Sequence, residues 1–183
     1  NSHTQFDLQT RRRRPMLQPE AENIEAAASE RGITELIHFT WTSNLDSIFR
    51  LGLLSRNEMK DSNYRFTDGW GGYPSHISLS IMFPNYLMFV AKKMATTPED
   101  GFCMLRINPC VMWSGPNVEQ TLFCYTNMAN TNAQRESIID GCSADAFSRL
   151  FAPEVKVKTV FSTPRTWRRI ESDPNFLTTD PQA

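Results

Sequence analysis

The sequence predicts a mixed α+β fold on a single domain. Three observations lead there. Helical and strand-like patterns follow one another in short pieces, without the regular strand–helix–strand rhythm of a parallel sheet. The chain has 183 residues, 40% of them hydrophobic, which suits one domain with a sizeable core. Neither a Gly-x-Gly-x-x-Gly run after a strand nor a phosphate loop ending in Gly-Lys-Ser/Thr occurs, so a dinucleotide would be held by another architecture.

Taken in order, residues 1–19 are polar, carry the run Arg11 to Arg14 and lack periodicity; they read as a basic arm, with Asn1-Ser2-His3 resembling an expression-tag remnant. Residues 20–178 form the domain and 179–183 a tail. Alanine and glutamate dominate from Pro19 to Arg31, and Gly32 ends a helix there. Leu36-Ile37-His38-Phe39-Thr40 reads as a buried strand. Thr42 or Ser43 is placed to cap a helix whose Leu45, Ile48, Phe49 and Leu51 share a face, and Gly52 stops it. Residues 55–75, with Gly69, Gly71, Gly72 and Pro74, read as a long loop. A strand is expected from His76 to Ile81, a helix from Pro84 to Met94 and a strand from Phe102 to Ile107. Val111 to Trp113 suggests one more short strand, and residues 114–140 give no clear pattern. A helix from Ser143 to Phe151 and an alternating strand from Glu154 to Phe161 complete the order.

Formal net charge is −1, so overall charge supplies no steering toward nucleic acid and any such binding needs a local patch. Lys92-Lys93 and the group Lys156, Lys158, Arg165, Arg168 and Arg169 are candidates, with a solvated face as the plain alternative. The four cysteines, Cys103, Cys110, Cys124 and Cys142, form no Cys-x-x-Cys pair, and with three scattered histidines no zinc site is expected. No long apolar run and no signal-peptide core are seen, so a reduced, cytoplasmic setting without membrane contact is the expectation, with a monomer as default.

Specific strings carry the reading further. His38-Phe39-Thr40, then Asn44-Leu45, Ile48 and Gly52-Leu53-Leu54, resemble the opening motif of the DarT family. Ile77-Ser78-Leu79-Ser80-Ile81-Met82-Phe83-Pro84-Asn85-Tyr86-Leu87-Met88-Phe89 is similar to that family's second segment, in the branch with a Ser-Leu-Ser-Ile pattern. Pro153-Glu154-Val155-Lys156-Val157 resembles its glutamate-bearing strand. The three strings stand in the family's order over residues 36–160; the chain departs from the family at Ala152-Pro153, where an arginine followed by glutamine or alanine is frequent.

The resemblance implies an ADP-ribosyltransferase-like fold, whose central β-sheets split to hold NAD⁺ in a cleft. It implies a toxin that transfers ADP-ribose to a base of single-stranded DNA, guanine in the Ser-Leu-Ser-Ile branch, and a macrodomain antitoxin that removes the modification. NAD⁺ is then the co-substrate, and no metal is needed.

Cleavage of nicotinamide from NAD⁺ develops positive charge on the ribose, which a fixed carboxylate stabilises. Glu154 is the candidate: it can accept the ribose 2′-hydroxyl and then take the proton of the attacking base nitrogen. The resemblance assigns a second catalytic role to an arginine of the long loop. Arg65 is preferred because it lies nearer the Ser78–Ile81 string, with Arg56 the alternative and otherwise a cofactor-binding position. His38, Phe39, Thr40, Asn44, Ser78 and Tyr86 are the other cofactor-binding candidates, and Ser80, Met82 and Met88 are possible neighbours of the nicotinamide. Trp70, Tyr73, Arg149 and the residues just before Glu154 are candidates for DNA, because exposed aromatics beside basic groups stack unpaired bases. Each has a plain alternative: core histidine, turn asparagine, solvated arginine, core aromatic. Two rival functions stay open. One is an ADP-ribosyltransferase on RNA or protein, or an NAD⁺ glycohydrolase; the other is a non-catalytic nucleic-acid-binding module.

Overall fold

The computed structural model describes residues 18–61, 73–84, 86–95, 100–115, 118–124, 141–152, 154–157 and 165–168. The element order is α1 (Gln18–Glu30), β1 (Leu36–Trp41), α2 (Leu45–Leu51), β2 (Ser80–Ile81), α3 (Tyr86–Met94), β3 (Phe102–Ile107), α4 (Ala144–Arg149), β4 (Glu154–Val157) and β5 (Arg165–Arg168). Helices and strands are thus mixed, and every strand pairing among the described residues is antiparallel.

The three-stranded sheet has the order β2-β1-β3. Directly paired residues of antiparallel strands lie on one face. Leu36, with partners Ile81 and Ile107, His38 with Leu105, and Thr40 with Cys103 therefore share a face. Ile37, Phe39 and Trp41, with partners Arg106, Met104 and Phe102, share the other.

The first face meets the main core at its Leu36 end. Ile24 and Ala28 of α1, Ile33, Leu36, Ile81, Met112, Phe123, and Ala146, Phe147 and Leu150 around α4 are all buried together. The spacing of Ile24 and Ala28 puts them on one face of α1. Two polar contacts lock α4 against α1: Ser143 caps it by accepting from the Ala146 N–H at 3.1 Å, and the Glu20 carboxylate of α1 accepts from the Ala144 N–H at 2.6 Å. Arg31 then lies 4.0 Å above the Phe151 ring, which joins the end of α1 to the chain leaving α4. The second face is aromatic. Phe39 contacts Phe89 of α3 at 5.9 Å and Phe102 at 5.8 Å between ring centroids, and Trp41 meets Phe102 at 5.7 Å.

Several expected elements differ. The strand expected from His76 to Ile81 is limited to Ser80–Ile81. The preceding residues are turned by other bonds: the His76 N–H donates to the Tyr73 carbonyl at 3.0 Å, and the His76 ring holds the Gln120 carbonyl at 3.1 Å. Val111 to Trp113 is not a strand, because Asn108 accepts from the Cys110 N–H and Pro109 opens a tight helical turn over Pro109–Met112. Neither Thr42 nor Ser43 caps α2; they lie in a short turn, Thr42–Asn44, that leads straight into it. The apolar face of α2 is not buried, and Phe49 is 79% exposed. Helix α3 begins at Tyr86, after Pro84. β4 pairs with a strand that the pattern did not predict, β5, with Glu154 opposite Arg168 and Val155 opposite Trp167. Residues 158–161 of the expected strand and the Arg11–Arg14 run lie outside the described residues. No helix of the described residues is long and apolar enough to cross a membrane.

Two substitutions test this arrangement. Gly101 precedes β3, and a Cβ there would lie 2.4 Å from Thr42 Oγ1 and 2.8 Å from Thr42 Cγ2. Thr42 is exposed and its side chain can rotate, but its Cβ would still lie 3.2 Å from the added atom, and its N–H is tied to the Gly101 carbonyl at 2.8 Å, so the backbone must shift. Gly101→Ala is expected to cost about 1–3 kcal/mol in urea unfolding. Glu20→Ala is expected to cost about 0.5–2 kcal/mol, since it leaves the first N–H of α4 without its carboxylate; an unchanged urea midpoint would remove the α1–α4 tie from the account.

Candidate functional site

Strand β1 and the corner after it gather polar groups on the sheet face that carries His38 and Thr40. The strand pattern that makes Leu36 a core residue puts His38 and Thr40 two and four positions on, on the same side. The His38 Nδ1 lies 3.0 Å from the Ser78 backbone carbonyl. A carbonyl only accepts, so Nδ1 carries the proton and Nε2 presents a lone pair. Burial holds the His38 pKa below its ordinary 6.5, partly offset by the bond to Ser78. The imidazole is therefore neutral at pH 7, a hydrogen-bond acceptor rather than a cation.

Thr40 is 7% exposed and Asn44 5% exposed. The Asn44 Nδ2 donates to the Thr40 Oγ1 at 3.0 Å. The turn Thr42–Asn44 brings this about: it reverses the chain within three residues, so Asn44 returns beside Thr40 instead of following the strand outward. Cys103, the register partner of Thr40, has its thiol pKa raised by burial, so it stays protonated and is not a nucleophile at neutral pH.

The structure thus brings together four of the residues singled out in the sequence, His38, Thr40, Asn44 and Ser78, through two hydrogen bonds. Ser78 takes part through its backbone, while its side chain is exposed. Phe39 is on the opposite face, packed between Phe89 and Phe102. Alternation alone separates it from its neighbours, and its side chain serves the aromatic core. Ser80 is buried and pairs with Ile37 in the sheet. Met82 packs against the main core with a left-handed backbone, φ 61°, and its sulfur accepts from the Thr34 N–H at 3.3 Å.

Arg56 lies in a turn built on Ser55 and Glu58. The Glu58 carboxylate accepts from the Ser55 N–H at 2.7 Å, and its bonds to the Ser55 hydroxyl and N–H hold its pKa below the usual carboxylate range. The Asn57 N–H donates to the Pro74 carbonyl at 2.9 Å, so the two ends of the long loop are joined at this turn. Tyr73 stacks edge-on against His76, with centroids 5.4 Å apart. Arg149 pairs with Asp145 one helical turn earlier, Nε to Oδ2 3.4 Å. Tyr86 opens α3 and Glu154 opens β4, but their side chains, with that of Met88, lie outside the described residues, as do Arg65 and Trp70. The signal that sequence reading missed is the second strand, Arg165-Thr166-Trp167-Arg168, which shows no apolar–polar alternation and only the strand propensity of Thr166 and Trp167, and which brings Arg168 into register with Glu154. Among the described residues no group of three or more His, Cys, Asp or Glu side chains is placed to hold a metal ion.

No protein-family model matches the chain, and no curated protein sequence matches it.

The pH dependence of stability follows from His38. Its folded pKa lies below the unfolded value of 6.5, so the unfolded chain takes up the proton first as pH falls. The His38 contribution is fully present above pH 6.5 and is lost as pH drops through the lower, folded value. His38→Gln, which can still donate to Ser78, is expected to lose this part of the pH dependence. Urea midpoints measured from pH 7.5 downward check it, and parallel wild-type and variant curves would refute the assignment.

Proposed function

We propose that this chain is an NAD⁺-dependent ADP-ribosyltransferase of the DarT type that modifies a base of single-stranded DNA, with guanine the expected target. The observation that carries the proposal is the meeting of two separate sequence strings at one place. His38 and Thr40 belong to the first and Ser78 to the second, and His38 bonds to Ser78 across 40 residues of chain. Around that bond the fold presents an imidazole lone pair, a buried hydroxyl and a buried carboxamide. Ribose hydroxyls, phosphate oxygens and a nicotinamide carboxamide are the kinds of partner such groups bind. A neutral histidine suits a hydroxyl donor better than a phosphate.

In this reading Glu154 accepts the 2′-hydroxyl of the nicotinamide ribose, and its charge favours the oxocarbenium-like transition state. The glycosidic bond to nicotinamide breaks, a base nitrogen bonds to the anomeric carbon, and Glu154 takes the proton that nitrogen loses. Arg65, or Arg56 in its place, holds the pyrophosphate. The products are ADP-ribosylated DNA, free nicotinamide and one proton. A macrodomain protein that removes the modification is the expected partner.

The test is label transfer from NAD⁺ labelled in the adenosine to mixed-sequence single-stranded DNA, with RNA and protein acceptors beside it. Transfer to DNA is expected, falling by about 10²-fold or more in Glu154→Ala. Label on RNA or protein alone, or release of nicotinamide without transfer, moves the target to those polymers or to water. A folded wild-type chain that neither transfers label nor releases nicotinamide ends the enzyme reading in favour of a binding module.

A further inference from the structure

We infer that Asn44 is a positioning residue that acts through Thr40, setting the Thr40 hydroxyl as a hydrogen-bond donor to an acceptor oxygen of the bound dinucleotide. The inference rests on the ADP-ribosyltransferase reading and assigns Asn44 a role different from direct contact with NAD⁺.

The argument is one of polarity. The Asn44 Nδ2 has only protons to give, and it gives one to Thr40 Oγ1 at 3.0 Å. A threonine hydroxyl has a single proton of its own. With its oxygen already accepting, that proton is left to be donated elsewhere. No acceptor for it lies among the described residues, although Thr40 is 7% exposed. A buried donor without an acceptor is costly, and the arrangement is self-consistent when a ligand oxygen completes it. Two residues away on the same face, His38 Nε2 is in the opposite condition, an acceptor without a described donor. Positions two apart on a strand are about 7 Å apart. The face therefore offers one donor and one acceptor side by side, each set by a protein bond behind it: Asn44 behind Thr40, Ser78 behind His38.

Asn44 itself is 5% exposed and sits at the corner between β1 and α2. The side chain that can turn toward a ligand is the threonine's; the asparagine decides which way its proton points. A carboxylate of the same shape would do the reverse. In Asn44→Asp, once the aspartate is ionised, the Thr40 hydroxyl donates inward to it and the outward donor is gone; burial raises that carboxyl's pKa, and while protonated it can still donate to Thr40 as the amide does.

The experiment measures nicotinamide release and label transfer from NAD⁺, with kcat, KM and melting temperature, for wild type, N44D, N44A, T40V and the double variant N44A/T40V. N44D, assayed across rising pH, is expected to lose on the order of 10²-fold in turnover where its carboxylate is ionised, with a melting temperature lowered by the buried charge. N44A and T40V are expected to lose turnover singly, and the double variant, compared per folded molecule, about as much as T40V alone, because the effect of Asn44 on turnover runs through the hydroxyl. An N44D that stays folded and turns over like wild type at every pH overturns the inference. So does a double variant whose loss is the product of the two single losses, which decides the matter even where N44D does not fold. A merely structural role would appear in the melting temperatures with turnover per folded molecule unchanged, and that outcome also counts against it. A folded wild-type chain without NAD⁺ turnover overturns the transferase reading and this inference with it; an active wild type with multiplying losses overturns this inference alone.

Discussion

The pleat of β1 is the constraint on which the rest depends. One six-residue strand lies between two partners and sends alternate side chains into two different environments. On one side Leu36 joins the buried cluster of α1 and α4; on the other Phe39 and Trp41 join Phe89 and Phe102. A shift of one residue in register would exchange these sets, placing His38 and Thr40 among aromatic rings and Phe39 at the polar corner. The cross-strand partners oppose such a shift, because Leu36 meets Ile81 on one flank and Ile107 on the other. Burial of a single large aliphatic side chain is worth about 1.5–3 kcal/mol, and here it also sets which face carries the polar groups.

That coupling explains why the polar groups are well defined although they sit beside a core. His38 is held in one tautomer by a carbonyl from a distant segment, and Thr40 in one polarity by an asparagine four residues on. Both supporting groups stand outside the sheet, a backbone carbonyl at Ser78 and the side-chain amide of Asn44. The Ser78 carbonyl is free to accept because the chain becomes a strand only at Ser80. Asn44 reaches back because the turn after Trp41 is tight, and Gly101 allows that turn to lie close. Small departures from regular structure thus shape the hydrogen-bonding character of the face.

The helical half contributes position. Glu20 and Ser143 satisfy the first N–H groups of α4, and Arg31 covers Phe151 at its exit. The chain then reaches Ala152 and enters β4 at Glu154. The segment bearing the candidate catalytic glutamate therefore follows directly from a helix whose Ala146, Phe147 and Leu150 side lies in the main core, and a carboxylate that must be held in place is best carried near such a rigid element.

The sequence by itself determined the elements whose periodicity and stops are local. The helix of α1 with Gly32 behind it, the strand Leu36–Trp41, the strand Phe102–Ile107 and the Ser143-capped α4 are all visible in residue order, because side-chain spacing and capping act within a few residues. It also singled out His38, Thr40, Asn44 and Ser78 through strings that resemble a known family. It misread Val111–Trp113, where a proline and an asparagine cap outweigh apolar character, and the span from His76, whose ring is taken by Gln120. It grouped Phe39 with His38 and Thr40 through backbone groups; which face the phenylalanine ring joins is set by the pleat, and it lies opposite theirs. Only the tertiary structure decided the tautomer of His38, the polarity of Thr40 and the pairing of Glu154 with Arg168. The physical reason is that these depend on which distant or turned backbone supplies the partner atom, and no local pattern encodes a partner brought in by folding.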